Sequence, residues 1–248
     1  MCLILLAHSV NPNFPLILLA NRDEDHARPT APAHFWPDET GVLAGRDLVA
    51  HGTWLGINKI GRWAAVSNLR CFISHGTDQK SRGYLVKDFL TTSSPVGSFV
   101  TQQLNNGHQY NGYNLLLGQI DSSLPEVIYL TNAKSQAVNL PPGIYGLSNH
   151  ILGTNGSRVI KGKCQLKSML EKEHIEAKRL LDIMKQLDED AESSIFVANS
   201  DYGTRSTTLI LVKRDGSTLL MERTYYSKNG ATPDKDSDAT FQFRIRPR

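Results

Sequence analysis

Long apolar runs, cysteine pairs, basic blocks and metal-spaced histidines are all missing from this sequence, and each absence excludes something. The apolar stretches that open the chain, Cys2 to Ala7 and Pro15 to Ala20, have six residues each. They are too short for a membrane span or for the apolar part of a signal peptide, and no basic segment precedes them. The three cysteines, Cys2, Cys71 and Cys164, are far apart and include no Cys-x-x-Cys pair. That pattern argues against a disulfide framework or a zinc site and for a reducing, cytoplasmic setting. Eight histidines include no His-x-x-x-His and none beside a cysteine, so no metal site is expected. Lys and Arg are scattered at a formal net charge of +3, which leaves no basic block for nucleic acid. Gly-x-Gly-x-x-Gly, a phosphate-binding loop and a Gly-x-Ser-x-Gly elbow are absent too, which removes most common enzyme signatures.

What is present is an ordinary globular composition, 40% hydrophobic and 21% charged over 248 residues, expected to form one domain over 1–248. The two opening apolar runs read as strands, turned antiparallel by the Asn- and Pro-rich segment from His8 to Phe14. Pro29, Pro32 and Pro37 predict an irregular packed loop, because each removes a ladder donor. Gly52 to Asn58 and Arg62 to Asn68 read as a hairpin around Lys59-Ile60-Gly61. Leu85, Val86, Phe89 and Leu90 predict a helix from near Ser81, and Val96, Phe99, Val100 and Leu104 a second from about Pro95.

Tyr113 to Ile120 and Glu126 to Leu130 return to strand period, and Ile144 to Asn149 reads as a short strand or elbow. Helical spacing resumes from about Ser157 to Leu187, with apolar positions at Val159, Ile160, Cys164, Leu170, Leu180, Leu181 and Met184. Thr207 to Val212 and Thr218 to Glu222 form a hairpin across Asp215-Gly216. Lys228 to Asp238 reads as an exposed loop and Phe241 to Ile245 as an edge strand. Short connections between strands imply largely antiparallel sheets, hence an α+β class and no doubly wound nucleotide fold.

The chemistry concentrates at the start. If Met1 is removed, Cys2 carries a thiol nucleophile and a free α-amino base on one residue. The hairpin would return Asn21-Arg22-Asp23-Glu24 to it, with Arg22 lowering the thiol pKa and an aspartate holding the α-ammonium. Asn68 and Asn149 both end or follow apolar strands and are uncharged donors suited to an oxyanion. Arg205 has the fork to grip a carboxylate or phosphate, or else a structural partner.

Several segments together resemble the NRDE family, also called the transport and Golgi organisation family. They are Met1-Cys2, Asn21-Arg22-Asp23-Glu24, Arg28-Pro29, Gly52-Thr53-Trp54-Leu55-Gly56, Ser81-Arg82-Gly83, Tyr110-Asn111-Gly112-Tyr113-Asn114-Leu115, Tyr145-Gly146-Leu147-Ser148-Asn149 and Tyr202-Gly203-Thr204-Arg205. The family is similar in its N-terminal layout to N-terminal nucleophile hydrolases of the choloylglycine hydrolase and penicillin V acylase type. That similarity implies a four-layer αββα sandwich of two mainly antiparallel sheets. It also implies Cys2 as nucleophile, with Arg22, Asn68 and Asn149 around it and Arg205, Trp54 and Glu24 toward the substrate. The hydrolases' spacing selects Asp25 as the catalytic aspartate, whereas the family's own motif selects Asp23, which is preferred here. The implied activity is hydrolysis of a small linear amide without a cofactor. The alternative implied by the family is a haem or acyl ligand held without turnover, although Cys2 is followed by Leu3 and lacks the Cys-Pro haem motif.

Overall fold

The structure is a computed structural model and describes residues 2–39, 41–70, 79–121, 125–154, 156–190, 193–226 and 235–246. The chain opens with β1 (Leu3–His8) and β2 (Leu16–Asp25). Next come β3 (Thr30–Phe35), β4 (Val42–Asp47), β5 (Leu55–Asn58) and β6 (Arg62–Asn68). Helices α1 (Gly83–Thr91) and α2 (Val96–Asn106) follow. Strands β7 (Tyr113–Gln119), β8 (Glu126–Thr131), β9 (Gln136–Asn139) and β10 (Gly143–Leu147) lead into α3 (Ser157–Leu170) and α4 (Ala177–Ile183). The described elements end with β11 (Tyr202–Val212), β12 (Ser217–Tyr226) and β13 (Lys235–Arg244).

Contacts divide the chain into two compact units. The first comprises Met1–Arg28, Pro142–Ser148 and Gly153–Arg244. It holds a six-stranded sheet in the order β10-β1-β2-β11-β12-β13, with every pairing antiparallel. Leu3, Leu5, Ile17, Leu19, Leu209 and Leu211 form one face, which buries Val159 and Leu166 of α3 and Leu180 and Leu181 of α4. The β1–β2 turn closes as its composition predicts: the Asn11 side chain accepts hydrogen bonds from the main-chain N–H groups of Asn13 and Phe14.

The second unit comprises Pro29–Pro141, Asn149–Leu152 and Ile245–Arg248. Its seven-stranded sheet runs in chain order from β3 to β9, again antiparallel. Helices α1 and α2 cover one face through Leu85, Val86, Phe89, Phe99 and Val100, the positions that helical spacing selects. Both units therefore pair an antiparallel sheet with helices packed on it.

Several expectations need correcting. The Pro-rich segment is not irregular: Thr30–Phe35 is a strand, because it lies at the sheet edge and its ladder shifts between Ala31 and His34, where Pro32 costs no central hydrogen bond. Strands β4 and β9 carried no clear alternation and were not anticipated. The strand expected from Gly52 starts at Leu55. Ile160 and Cys164 are exposed, because the buried stripe of α3 runs through Val159, Gly162, Leu166 and Met169. The expected charged loop gives way to β13 from Lys235 onward, and its earlier part lies outside the described residues, as does Cys71.

Two of the motif glycines have a packing reason. A Cβ on Gly52 would meet the Gly83 backbone at 2.6 to 2.9 Å, and a Cβ on Gly83 would in turn meet the Thr53 nitrogen at 3.1 Å. The Thr53 N–H donates to the Gly83 carbonyl at 3.2 Å across this contact. Gly52→Ala is expected to push the start of α1 away and destabilise the protein by about 1–3 kcal/mol in denaturant unfolding. A value within error of wild type would refute the tight contact.

Candidate active site

The site grows from the end of β2, which is buried from Leu16 to Asp23. Side chains alternate along a strand, so Asn21 and Asp23 continue the helix-facing row of Ile17 and Leu19. Asn21 donates from Nδ2 to the carbonyls of Met184 and Ile195 at 2.9 and 3.0 Å, and its Oδ1 accepts from Thr207 Oγ1 at 2.7 Å. It ties β2 to the segment after α4, so the first residue of the charged motif is a structural one.

Asp23 is held from three sides. Thr204 Oγ1 donates to its Oδ1 at 2.6 Å, Arg158 Nη2 lies 3.4 Å from Oδ2, and the Tyr202 hydroxyl donates to its main-chain carbonyl at 2.7 Å. Its side chain has no solvent exposure. Burial pushes the Asp23 carboxyl above the usual carboxylate range, against the pull of the N-terminal ammonium, Arg158 and Thr204. Arg158 also donates from Nη2 to the Ile195 carbonyl, while its Nε and Nη1 are buried without a hydrogen-bond partner.

Cys2 stands one residue before β1. Since Leu3 pairs with Asn21, the continuing register sets Cys2 opposite Arg22. The residue as a whole is half-buried, and its thiol, set in buried surroundings, receives the main-chain N–H of Asp23. Burial pushes the thiol pKa up and the Asp23 charge adds to this, while the N-terminal ammonium, the Asp23 N–H and, least, Arg22 hold it down. The resting group is thus a thiol in need of a base. Arg22 is itself buried, with Nη2 3.6 Å from Glu24 Oε2.

A raised thiol pKa means that Cys2 alkylation by iodoacetamide should climb with pH through an inflection above the usual thiol range. Arg22→Gln removes one of the cations that oppose the shift, so the inflection should move somewhat higher and the rate at pH 8 should fall. An unmoved profile, followed by intact mass, would exclude the Arg22 effect.

The structure brings Cys2, Arg22, Asp23, Glu24 and Arg205 into the first unit. Arg205 is the extra residue of a bulge between Thr204 and Ser206. Its Nη1 donates to the carbonyls of Asp25 and Arg28 at 2.8 and 3.1 Å, which anchors the turn after β2. Asp25 is exposed and accepts the Ala27 N–H at 2.7 Å, so the two aspartates differ: Asp23 is the buried one beside Cys2.

Asn68, Asn149 and Trp54 belong to the second unit. There Asn149 donates from Nδ2 to the Asn68 carbonyl at 2.9 Å, and its buried Oδ1 has no partner. The side chain of Asn68 is exposed at the end of β6, and the Trp54 carbonyl accepts the Val66 N–H at 2.9 Å. Arg158, Tyr202 and Thr204 were not anticipated. Tyr202 and Thr204 lay inside a recognised motif, but Arg158 had only one clue, its place beside Val159 on the inward side of a helix.

The sequence pattern of the family described as Transport and Golgi organisation 2 matches residues 1–227. The chain belongs to this family. A Transport and Golgi organization 2 homolog of Mus musculus is 31% identical over 279 aligned residues, covering 99% of this chain and 100% of that protein. The Homo sapiens Transport and Golgi organization protein 2 homolog is 32% identical, covering 92% of this chain and 95% of its own. Among solved structures, a variant of conjugated bile acid hydrolase from Clostridium perfringens aligns with a TM-score of 0.57 at 14% identity, covering 100% of this chain and 98% of that one. At that identity the likeness speaks to fold alone. This Transport and Golgi organisation 2 family member has two antiparallel sheets with helices packed on them, an α+β fold like that of the bile acid hydrolase. Among the described residues no helix is long and apolar enough to cross a membrane.

Proposed function

We propose that this protein hydrolyses a small linear amide through Cys2. The observation that carries the reading is the buried Asp23 carboxyl, fixed by Arg158 and Thr204, whose own main-chain N–H is bonded to the Cys2 thiol. Likeness of fold to a conjugated bile acid hydrolase accords with it. A reducing, cytoplasmic setting would keep the thiol free.

In the proposed cycle, loss of Met1 frees the Cys2 α-amine, and Asp23 orients the resulting ammonium and amine. The amine takes the thiol proton as sulfur attacks the amide carbonyl carbon, forming a C–S bond and an oxyanion. Collapse breaks the C–N bond, and the leaving amine takes the proton back from the α-ammonium. Water then attacks the thioester, releases the carboxylic acid and restores the thiol. The raised thiol pKa suits this order, because the proton is removed during attack and not in the resting protein.

The test is a panel of linear N-acyl amides, with acid and amine products quantified and intact mass recorded. The expected result is a protein lacking Met1 with an acyl adduct on Cys2. Met1 retained in protein purified from its native source would sink the free-amine mechanism. A haemin Soret shift that Cys2→Ala abolishes, with no acyl adduct on any amide, would move the site to ligand binding.

A further inference from the structure

We infer that Ser206 positions the substrate at the Cys2 site by binding an acceptor oxygen about two strand spacings, roughly 10 Å, from the scissile carbonyl. The inference rests on the proposed hydrolytic reading and names a property of its substrate.

Ser206 follows the Arg205 bulge in β11 and pairs with Arg22 of β2 on one side and Thr224 of β12 on the other. Directly opposed residues share a sheet face. Thr207, the next residue, binds Asn21 on the helix-covered face, so Ser206 and Arg22 lie on the other face. Cys2 continues that row across β1. Without the bulge, Ser206 would share the face of Thr204; the inserted residue turns its hydroxyl to the thiol's side.

The hydroxyl is the exception among its neighbours. Thr204, Thr207 and Thr208 place Oγ1 on Asp23, Asn21 and Glu222 at 2.6, 2.7 and 3.0 Å. Ser206 is 5% exposed and its Oγ has no hydrogen-bond partner. Burying an unbonded hydroxyl costs free energy that nothing in the folded chain repays, whereas a bound substrate oxygen would. The substrate class is therefore a linear amide with a carbonyl-type oxygen held over Ser206 while its amide carbonyl meets Cys2.

Two chloroacetamides with tails of equal length, reaching about 10 Å from the reactive carbon, test this. One ends in a methyl ketone and the other in an isopropyl group. The Cys2 sulfur bonds to the CH2 carbon, chloride leaves with the C–Cl electrons, and the thiol proton passes to buffer. Wild type should be labelled about 5-fold faster by the ketone probe. Ser206→Ala should bring the two rates together, and Ser206→Thr should retain the preference. The melting temperature of Ser206→Ala should not fall, since no native bond is lost.

Equal rates in wild type, or a preference that survives Ser206→Ala, would overturn the assignment. So would a large loss of stability with both probes slowed alike, which would mark a structural role. Failure of Cys2 to react even with iodoacetamide would instead bring down the nucleophile reading, and the Ser206 role with it.

Discussion

Cys2→Ala is expected to lower amide turnover by on the order of 10⁴-fold or more and to abolish the acyl adduct, with the melting temperature held within about 2 °C. The two halves of this prediction have separate causes. Turnover falls because the C–S bond has no replacement: the main-chain N–H of Asp23 and the Arg22 cation would remain, but neither is a nucleophile. Stability holds because Cys2 precedes β1 and is partly exposed, while the pairing from Leu3 to His8 belongs to the backbone and to buried neighbours. Cys2→Ser should also be slow, since a hydroxyl is far less acidic than a thiol and the α-amine would have to remove a tighter proton. Product release measured beside calorimetry checks both halves. Equal turnover in wild type and Cys2→Ala would remove Cys2 from the chemistry.

How much of this could be read from the chain depends on how local each signal is. The β1–β2, β5–β6 and β11–β12 hairpins join apolar runs through short turns, so pattern and turn chemistry agree, and the spacing of Leu85, Val86, Phe89 and Leu90 specifies α1. β3 was hidden by Pro32, whose effect depends on a sheet edge that only the tertiary fold creates. β9 is a short and largely exposed edge strand, and edges need little alternation. The charged cluster from Arg22 to Asp25 stood out because it ends a continuous apolar strand, and the resemblance to the family singled out Asp23 within it. The partners of Asp23 were not legible: Arg158 and Thr204 lie 135 and 181 residues from Asp23 in sequence. Pairing over such separations leaves no periodicity. Nor could the sequence reveal that Arg205 occupies a bulge, because a bulge is a mismatch between two strands and not a property of either.

Arg158→Met should destabilise the protein by about 3 kcal/mol at pH 7, the low end of the range for breaking a buried ion pair. The low end applies because two effects oppose. Loss of the guanidinium takes one cation and one hydrogen bond from the buried Asp23 carboxylate, but it also removes buried Nε and Nη1 groups that have no hydrogen-bond partner. The carboxylate wins, since a buried charge stripped of its nearest guanidinium costs more than unpaired donors. The pH dependence has a definite sign. Burial already raises the Asp23 pKa, and removing Arg158 removes a charge that lowers it, so the folded variant binds the proton more tightly still. A group with a raised folded pKa contributes stability below its unfolded pKa and loses it as pH rises through the folded value. The deficit should therefore be greatest at neutral pH and shrink as pH falls toward the carboxylate range, as urea unfolding at several pH values would measure. Asp23→Asn with Arg158→Met should regain much of the stability, because both buried charges of the pair are then gone, and the cycle should give a coupling of about 2 kcal/mol. Turnover should stay lost in that double variant, since asparagine can hold the fold but has no charge with which to orient the Cys2 ammonium. Recovery of both together would mean that Asp23 serves only the fold.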